Sequence, residues 1–195
     1  MLSWMNVLVL VVATSVAWGS YFKSVAPAKL AKQIGPSAYL KCAWYRKICM
    51  PFMAIVFINY VIYYFYPLPI GIPAKFGWPW LVSAVIATLI AVPAGYALIR
   101  GLLDAGEETM TPKPEHAMYG GIYQKMRHPQ TVGEIGLWLA FALVLNSPFL
   151  AVYVLVWIPA AFYCCVTEER DLVLRYGSAY QEYRRRTCAF LPGLW

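Results

Sequence analysis

Three groups of residues in this 195-residue chain have the types and spacing to do chemistry, and all three lie in its second half. The first is Tyr123, Arg127, His128, Pro129, Gln130 and Thr131, within GGIYQKMRHPQTVGE. Gly120 and Gly121 permit a tight bend, and Pro129 suits the first turn of a helix. The free N–H groups and positive dipole end of that helix then lie beside His128, where an anionic group is welcome. The second is Glu134, about one turn inside an apolar run. A carboxylate there is costly and usually functional, facing the bundle rather than lipid. The third is the pair Glu168-Glu169 in CCVTEERDLVLRYGSAYQEYRRR, some forty residues further on. Two blander readings compete: Arg127 and His128 as headgroup anchors, and Glu134 with Gln130 and Thr131 as a hydrogen-bonded polar cluster.

The elements that must position these groups are membrane helices. Hydrophobic residues make up 61% of the chain and charged residues 13%, against about a quarter charged in ordinary soluble domains. Five apolar runs stand out, at residues 2–22, 51–66, 80–99, 132–145 and 149–166. A spanning helix needs about 20 residues, so the second and fourth are short. The fourth and fifth are separated only by Asn146-Ser147-Pro148, which reads as the turn of a helical hairpin; the alternative is that the short second and fourth runs are tilted partners. That geometry returns the Glu pair to the side where His128 stands. The first run lacks the positive n-region of a secretory signal and is read as a retained helix.

The expected fold is therefore all-α: a polytopic membrane protein of five transmembrane helices, with a C-terminal helical hairpin and a cytoplasmic interfacial tail helix. The tail is drawn from Leu172, Tyr176, Tyr180 and Tyr183, which recur at helical spacing among the arginines; a solvated cationic tail is the alternative. Residues 1–195 read as one membrane domain, with a three-span scaffold in 1–100 and the working unit in 101–195.

Charge placement sets the expected orientation. Of the sixteen basic residues only Lys75 falls between the second and third runs, and the other fifteen lie in the segments after the first run, after the third and in the tail. Basic residues concentrate in cytoplasmic loops, so the N-terminus is expected outside, and the C-terminus and active site in the cytoplasm. The net charge of +7 then reflects topology and contact with anionic lipid, without any need for nucleic acid. Cys42, Cys49, Cys164, Cys165 and Cys188 have no zinc-like spacing, and with two histidines in the chain no metal site is expected.

GIYQKMRHPQTVGE, a two-span hairpin, EERDLVLRYGSAYQEYRRR and a closing FLP together resemble the C-terminal half of the isoprenylcysteine carboxyl methyltransferase and phospholipid methyltransferase superfamily, over about residues 115–192. The resemblance implies an integral membrane methyltransferase that binds S-adenosylmethionine without a Rossmann domain. It assigns cofactor contacts to Glu115, His116, Ala117 and Met118 in the loop, then to Tyr123, His128, Pro129, Gln130, Thr131 and one of Glu168 or Glu169. Two departures stand out: Thr131 replaces a frequent Tyr, and Cys164-Cys165-Val166-Thr167 offers no cation where prenylcysteine enzymes place an Arg. The acceptor is expected to be lipophilic or small and apolar, entering from the bilayer. An amine or thiol needs a base, for which Glu134 is the embedded candidate, and a carboxylate needs a cation such as Arg127 or Arg170. The competing class is a non-enzymatic five-span scaffold or transporter subunit.

Overall fold

The structure is a computed structural model and describes residues 1–115 and 120–191. Helix α1 is Leu2–Ser24, α2 Pro27–Ile34, α3 Ser37–Phe65, α4 Trp80–Ala105, α5 Pro129–Val144, α6 Pro148–Val156, α7 Ile158–Tyr176 and α8 Ser178–Arg186. Short 3-10 turns at Gly106–Thr109 and Gly121–Gln124 lie between α4 and α5. Extended pairing among the described residues is limited to one bridge, Met126 to Cys188.

Four helical stretches are long and apolar enough to cross a bilayer: Leu2–Ser24, Ser37–Phe65, Trp80–Thr109 and Pro148–Tyr176, with mean hydropathy of 1.7 to 2.2. Their outer faces carry Leu8, Leu81, Leu89, Val92 and Leu103, each 64–70% exposed. Such a belt belongs in hydrocarbon, and the protein is an integral membrane protein. Helix α5 has 16 residues, about 24 Å at 1.5 Å per residue, short of the roughly 30 Å hydrocarbon core.

The helices depart from the apolar runs in three places. The second run was expected to begin at Pro51, but α3 starts at Ser37 and passes through Pro51. Membrane helices tolerate an internal Pro where neighbouring groups satisfy the freed backbone. The fifth run divides at Trp157, where Pro159 lacks an N–H and the Trp157 N–H closes α6 on the Val154 carbonyl at 3.1 Å. Helix α7 then continues past residue 166 to Tyr176 and ends at Gly177, whose φ of 60° lies in the left-handed region. The expected tail stripe is thus split between two helices. Tyr180 and Tyr183 of α8 fold back onto Leu172 as a buried cluster, so this stripe faces protein rather than the interface.

Close packing fixes α5 against α4. A Cβ placed on Gly133 would lie 2.6 Å from Leu98 Cβ and 2.7 Å from the Ala94 carbonyl oxygen, and one on Gly136 would lie 2.6 Å from Ala94 Cβ. Small residues let two backbones approach where no bulky side chain fits. The hairpin turn forms as expected. Asn146 adopts φ 53°, its side-chain oxygen accepts from Ser83 at 2.6 Å, and its carbonyl accepts from the Phe76 N–H at 3.2 Å.

The opposite end of the bundle collects the basic segments. Asp171 accepts the Ala28 and Lys29 N–H groups at 3.1 and 2.7 Å, which caps α2 from α7. Arg46 of α3 donates to the carbonyls of Glu108 and Thr109, the latter at 2.9 Å. Arg175 of α7 pairs with Glu108 at 2.6 Å, both side chains 3–4% exposed. These contacts gather α2, α3, α4 and α7 around the start of α5.

Candidate active site

The segment before α5 is held by the tail. The N–H groups of Arg127 and His128 donate to the carbonyls of Cys188 and Ala189 at 2.9 and 3.0 Å. The Arg127 guanidinium donates to Glu169 Oε1 at 2.7 Å, to the Arg184 carbonyl at 3.0 Å and to the Thr187 carbonyl. His128 is buried, with Nε2 3.0 Å from the same Glu169 oxygen and Nδ1 3.7 Å from Glu168 Oε2. Burial works against the imidazolium, but hydrogen bonds to Cys165 and Glu169 and the charge of Glu168 outweigh it and raise the His128 pKa to about 10.

The two glutamates have therefore separated. Glu169 is committed to Arg127 and His128. Glu168 makes no hydrogen bond among the described residues, and its carboxylate borders a polar cavity of about 600 Å3, open mouth included. Around that cavity stand Arg46, Thr109, Tyr123, His128, Gln130, Thr131, Tyr180 and Tyr183. Gln130 anchors one wall: its amide nitrogen lies 2.9 Å from Tyr123 Oη, 3.1 Å from Thr109 Oγ1 and 3.2 Å from the Gly101 carbonyl. Tyr123 donates to that carbonyl at 3.1 Å, and Tyr183 donates to the Tyr123 carbonyl at 2.6 Å. Burial, with the Glu168 charge nearby, raises the Tyr123 phenol well above its ordinary range, so it stays neutral.

A second cavity, about 750 Å3 with its mouth, lies deeper between α1, α3, α5, α6 and α7. Six aromatic side chains line it: Trp18, Tyr21, Tyr60, Trp138, Tyr153 and Trp157. Among the described residues its one charged group is Glu134, an exposed residue of α5 whose side chain borders this space. The glycines at 133 and 136 turn the opposite side of α5 to α4. Tyr21, Gln130 and Thr131 border both cavities, so these three residues stand between the polar and apolar spaces.

Among the expected site residues, Tyr123, Arg127, His128, Pro129, Gln130, Thr131 and Glu168 converge on the polar cavity, and Glu134 on the apolar one. Glu169 stands one step behind, through Arg127 and His128. Glu134, expected as the base for an amine or thiol, and Arg127, expected as a cation for a carboxylate, border different cavities. Glu115 is exposed and borders neither. His116, Ala117 and Met118 lie outside the described residues.

Sequence reasoning missed Tyr21 and Arg46, both from the segment read as scaffold. A signal for Arg46 existed in the spacing: Ala38, Cys42 and Ala43 are the buried residues at the start of α3, and Arg46 follows Cys42 by one turn on that face. Nothing around Tyr21 distinguishes it from the other aromatics of α1.

Fold and site together define a helical integral membrane protein in which a polar cavity at one end of the bundle lies next to an apolar one within it. Residues 81–179 match the phospholipid methyltransferase family model, and the chain belongs to this family of membrane methyltransferases. No curated protein sequence and no solved structure gives a match. The match starts upstream of the region that carried the resemblance, taking in α4, in keeping with the Gly101, Gly133 and Gly136 contacts that weld α4 to α5.

Proposed function

We propose that the protein is an S-adenosylmethionine-dependent methyltransferase whose acceptor is a lipophilic amine drawn from the bilayer. The observation that carries this reading is that Tyr21, Gln130 and Thr131 border both cavities. A polar, charged compartment suits a zwitterionic cofactor, an aromatic one suits a lipid, and the residues between them mark where a methyl group must pass. S-adenosylmethionine supplies an electrophilic methyl on a sulfonium. The polar cavity has groups that fit the rest of the molecule. Arg46 keeps a buried Nε without a hydrogen-bond partner, a cation left incompletely compensated for a carboxylate. Glu168 offers free acceptor oxygens to an ammonium or to ribose hydroxyls, and Tyr123, Tyr180 and Tyr183 supply aromatic surface. His128, whose ring nitrogens face Glu169 and Glu168, orients the Glu pair rather than binding the carboxylate itself.

The acceptor class follows from the charges. Among the described residues no Lys, Arg or His borders the apolar cavity, so a carboxylate there would lack a counter-charge. An amine meets Glu134, which takes the proton the nitrogen must lose before its lone pair attacks. The aromatic lining favours the cationic product, with cation–π contacts of about 0.5–2 kcal/mol each. Arg127 is then a positioning residue that ties Glu169 to the tail. In the membrane, α5 is the fourth of five spans, the basic end of the bundle faces the cytoplasm and anionic lipid, and the N-terminus lies outside.

The test is transfer of labelled methyl from S-adenosylmethionine in liposomes to an amine-bearing lipid and to a matched carboxylate lipid. Turnover confined to the amine, lowered about 10²–10⁴-fold by Glu134→Gln with S-adenosylhomocysteine affinity intact, supports the reading. Turnover of the carboxylate, or full activity in Glu134→Gln, rejects it.

A further inference from the structure

A third hollow, about 590 Å3 with its open mouth, lies away from both cavities, where α1, α2 and α3 come together. Each helix contributes one lysine: Lys23 from the last turn of α1, Lys29 from α2 and Lys41 from α3, with Gln33 and Tyr45 beside them. All three lysines are exposed, and none forms an ion pair among the described residues. The nearby carboxylate of Asp171 is engaged by the Ala28 and Lys29 N–H groups. Lys23 Nζ sits 5.6 Å from the centroid of the Tyr45 ring. Three like charges brought to one hollow by three different helices repel one another, and no acid among the described residues pairs with them.

The surface beside the hollow indicates what does. Leu40, Trp44 and Ile48 follow at intervals of four on α3, next to Lys41 and Tyr45, and all three are exposed. Lys47 Nζ lies 5.4 Å from the Trp44 ring. A phosphate held by the lysines would be followed directly by an apolar track running toward the spanning part of α3. Free phosphate has no use for that track, whereas an acyl chain does.

We propose that the hollow of Lys23, Lys29 and Lys41 is a binding site for the headgroup of one anionic phospholipid, whose chain lies along Leu40, Trp44 and Ile48. The full chain, exchanged into neutral detergent, would be titrated with phosphatidylglycerol or phosphatidylcholine, and retained lipid counted by native mass spectrometry. One phosphatidylglycerol should be retained in preference to phosphatidylcholine. The triple variant Lys23→Gln, Lys29→Gln, Lys41→Gln should weaken it by about fivefold per lysine, on the order of a hundredfold together. The triple Lys→Arg variant should keep it, and Lys75→Gln, at the other end of the bundle, should leave it unchanged. Equal retention by the wild type and the triple Gln variant, both eluting as folded protein, would overturn the site. Loss of retention in the triple Arg variant would overturn it too, as would inorganic phosphate at millimolar concentration displacing the lipid as effectively as phosphatidylglycerol does, since that would make the hollow a free-phosphate site.

Discussion

Replacing Gly133 by Ala should do more damage than one methyl group suggests. The added Cβ would fall 2.6 Å from Leu98 Cβ and 2.7 Å from both the Leu98 nitrogen and the Ala94 carbonyl oxygen. Two of those three atoms are backbone, so no side chain can swing aside. Restoring ordinary carbon contacts of about 3.5–4 Å requires α5 to move from α4 by about 1 Å, and overpacking of this kind costs about 1–3 kcal/mol. Gly95 on α4 is the control, because a Cβ there meets only Leu137 Cδ2, at 4.0 Å. Both substitutions gain the roughly 1 kcal/mol by which Ala exceeds Gly as a helix former, so the difference between them isolates the clash. Thermal unfolding in one detergent should place Gly133→Ala several degrees below Gly95→Ala. Because Gln130, Thr131 and Glu134 travel with α5, methyl transfer should fall as well, by up to about a hundredfold for a 1 Å misplacement. Equal midpoints for the two variants would refute the argument that contact with α4 sets the position of α5.

Two further outcomes follow from the charged end of the bundle. Arg175→Ala leaves Glu108 buried without its 2.6 Å partner, and should cost about 3–5 kcal/mol, read as a lowered unfolding midpoint; replacing the exposed Arg185 in the same way should cost less than 1 kcal/mol. His128 titrates at about 10 in the folded protein, above the ordinary value of about 6.5. Its contribution to stability is therefore complete below about pH 6.5 and declines as pH rises toward 10. The wild-type midpoint should drop more steeply from pH 7 to 10 than that of His128→Gln; parallel curves would contradict the assignment.

Some of this architecture is legible in residue order. His128-Pro129 marks the start of α5 because Pro at the first helical position is locally favourable, and Asn146-Ser147-Pro148 marks the hairpin by turn chemistry alone. Glu134 facing the bundle follows from the cost of placing a carboxylate against lipid. The remainder depends on long-range packing. Pro51 reads as a boundary, yet α3 continues through it, and the division of labour between Glu168 and Glu169 appears only once Arg127 and His128 both close on Glu169. Tyr21 and Arg46 lie 109 and 84 residues from Gln130 in a segment of basic and apolar residues, and only folding places them beside it.

In the proposed function the polar cavity holds S-adenosylmethionine through Glu168 while Glu169 supports the fold. Calorimetric titration of the solubilised protein with S-adenosylhomocysteine, for the wild type, Glu168→Ala and Glu169→Ala, tests it most directly. The wild type should bind saturably, Glu168→Ala should lose binding while remaining folded, and Glu169→Ala should show the larger drop in unfolding midpoint. Absence of binding to folded wild-type protein in both detergent and lipid, or undiminished binding in Glu168→Ala, would contradict this proposal.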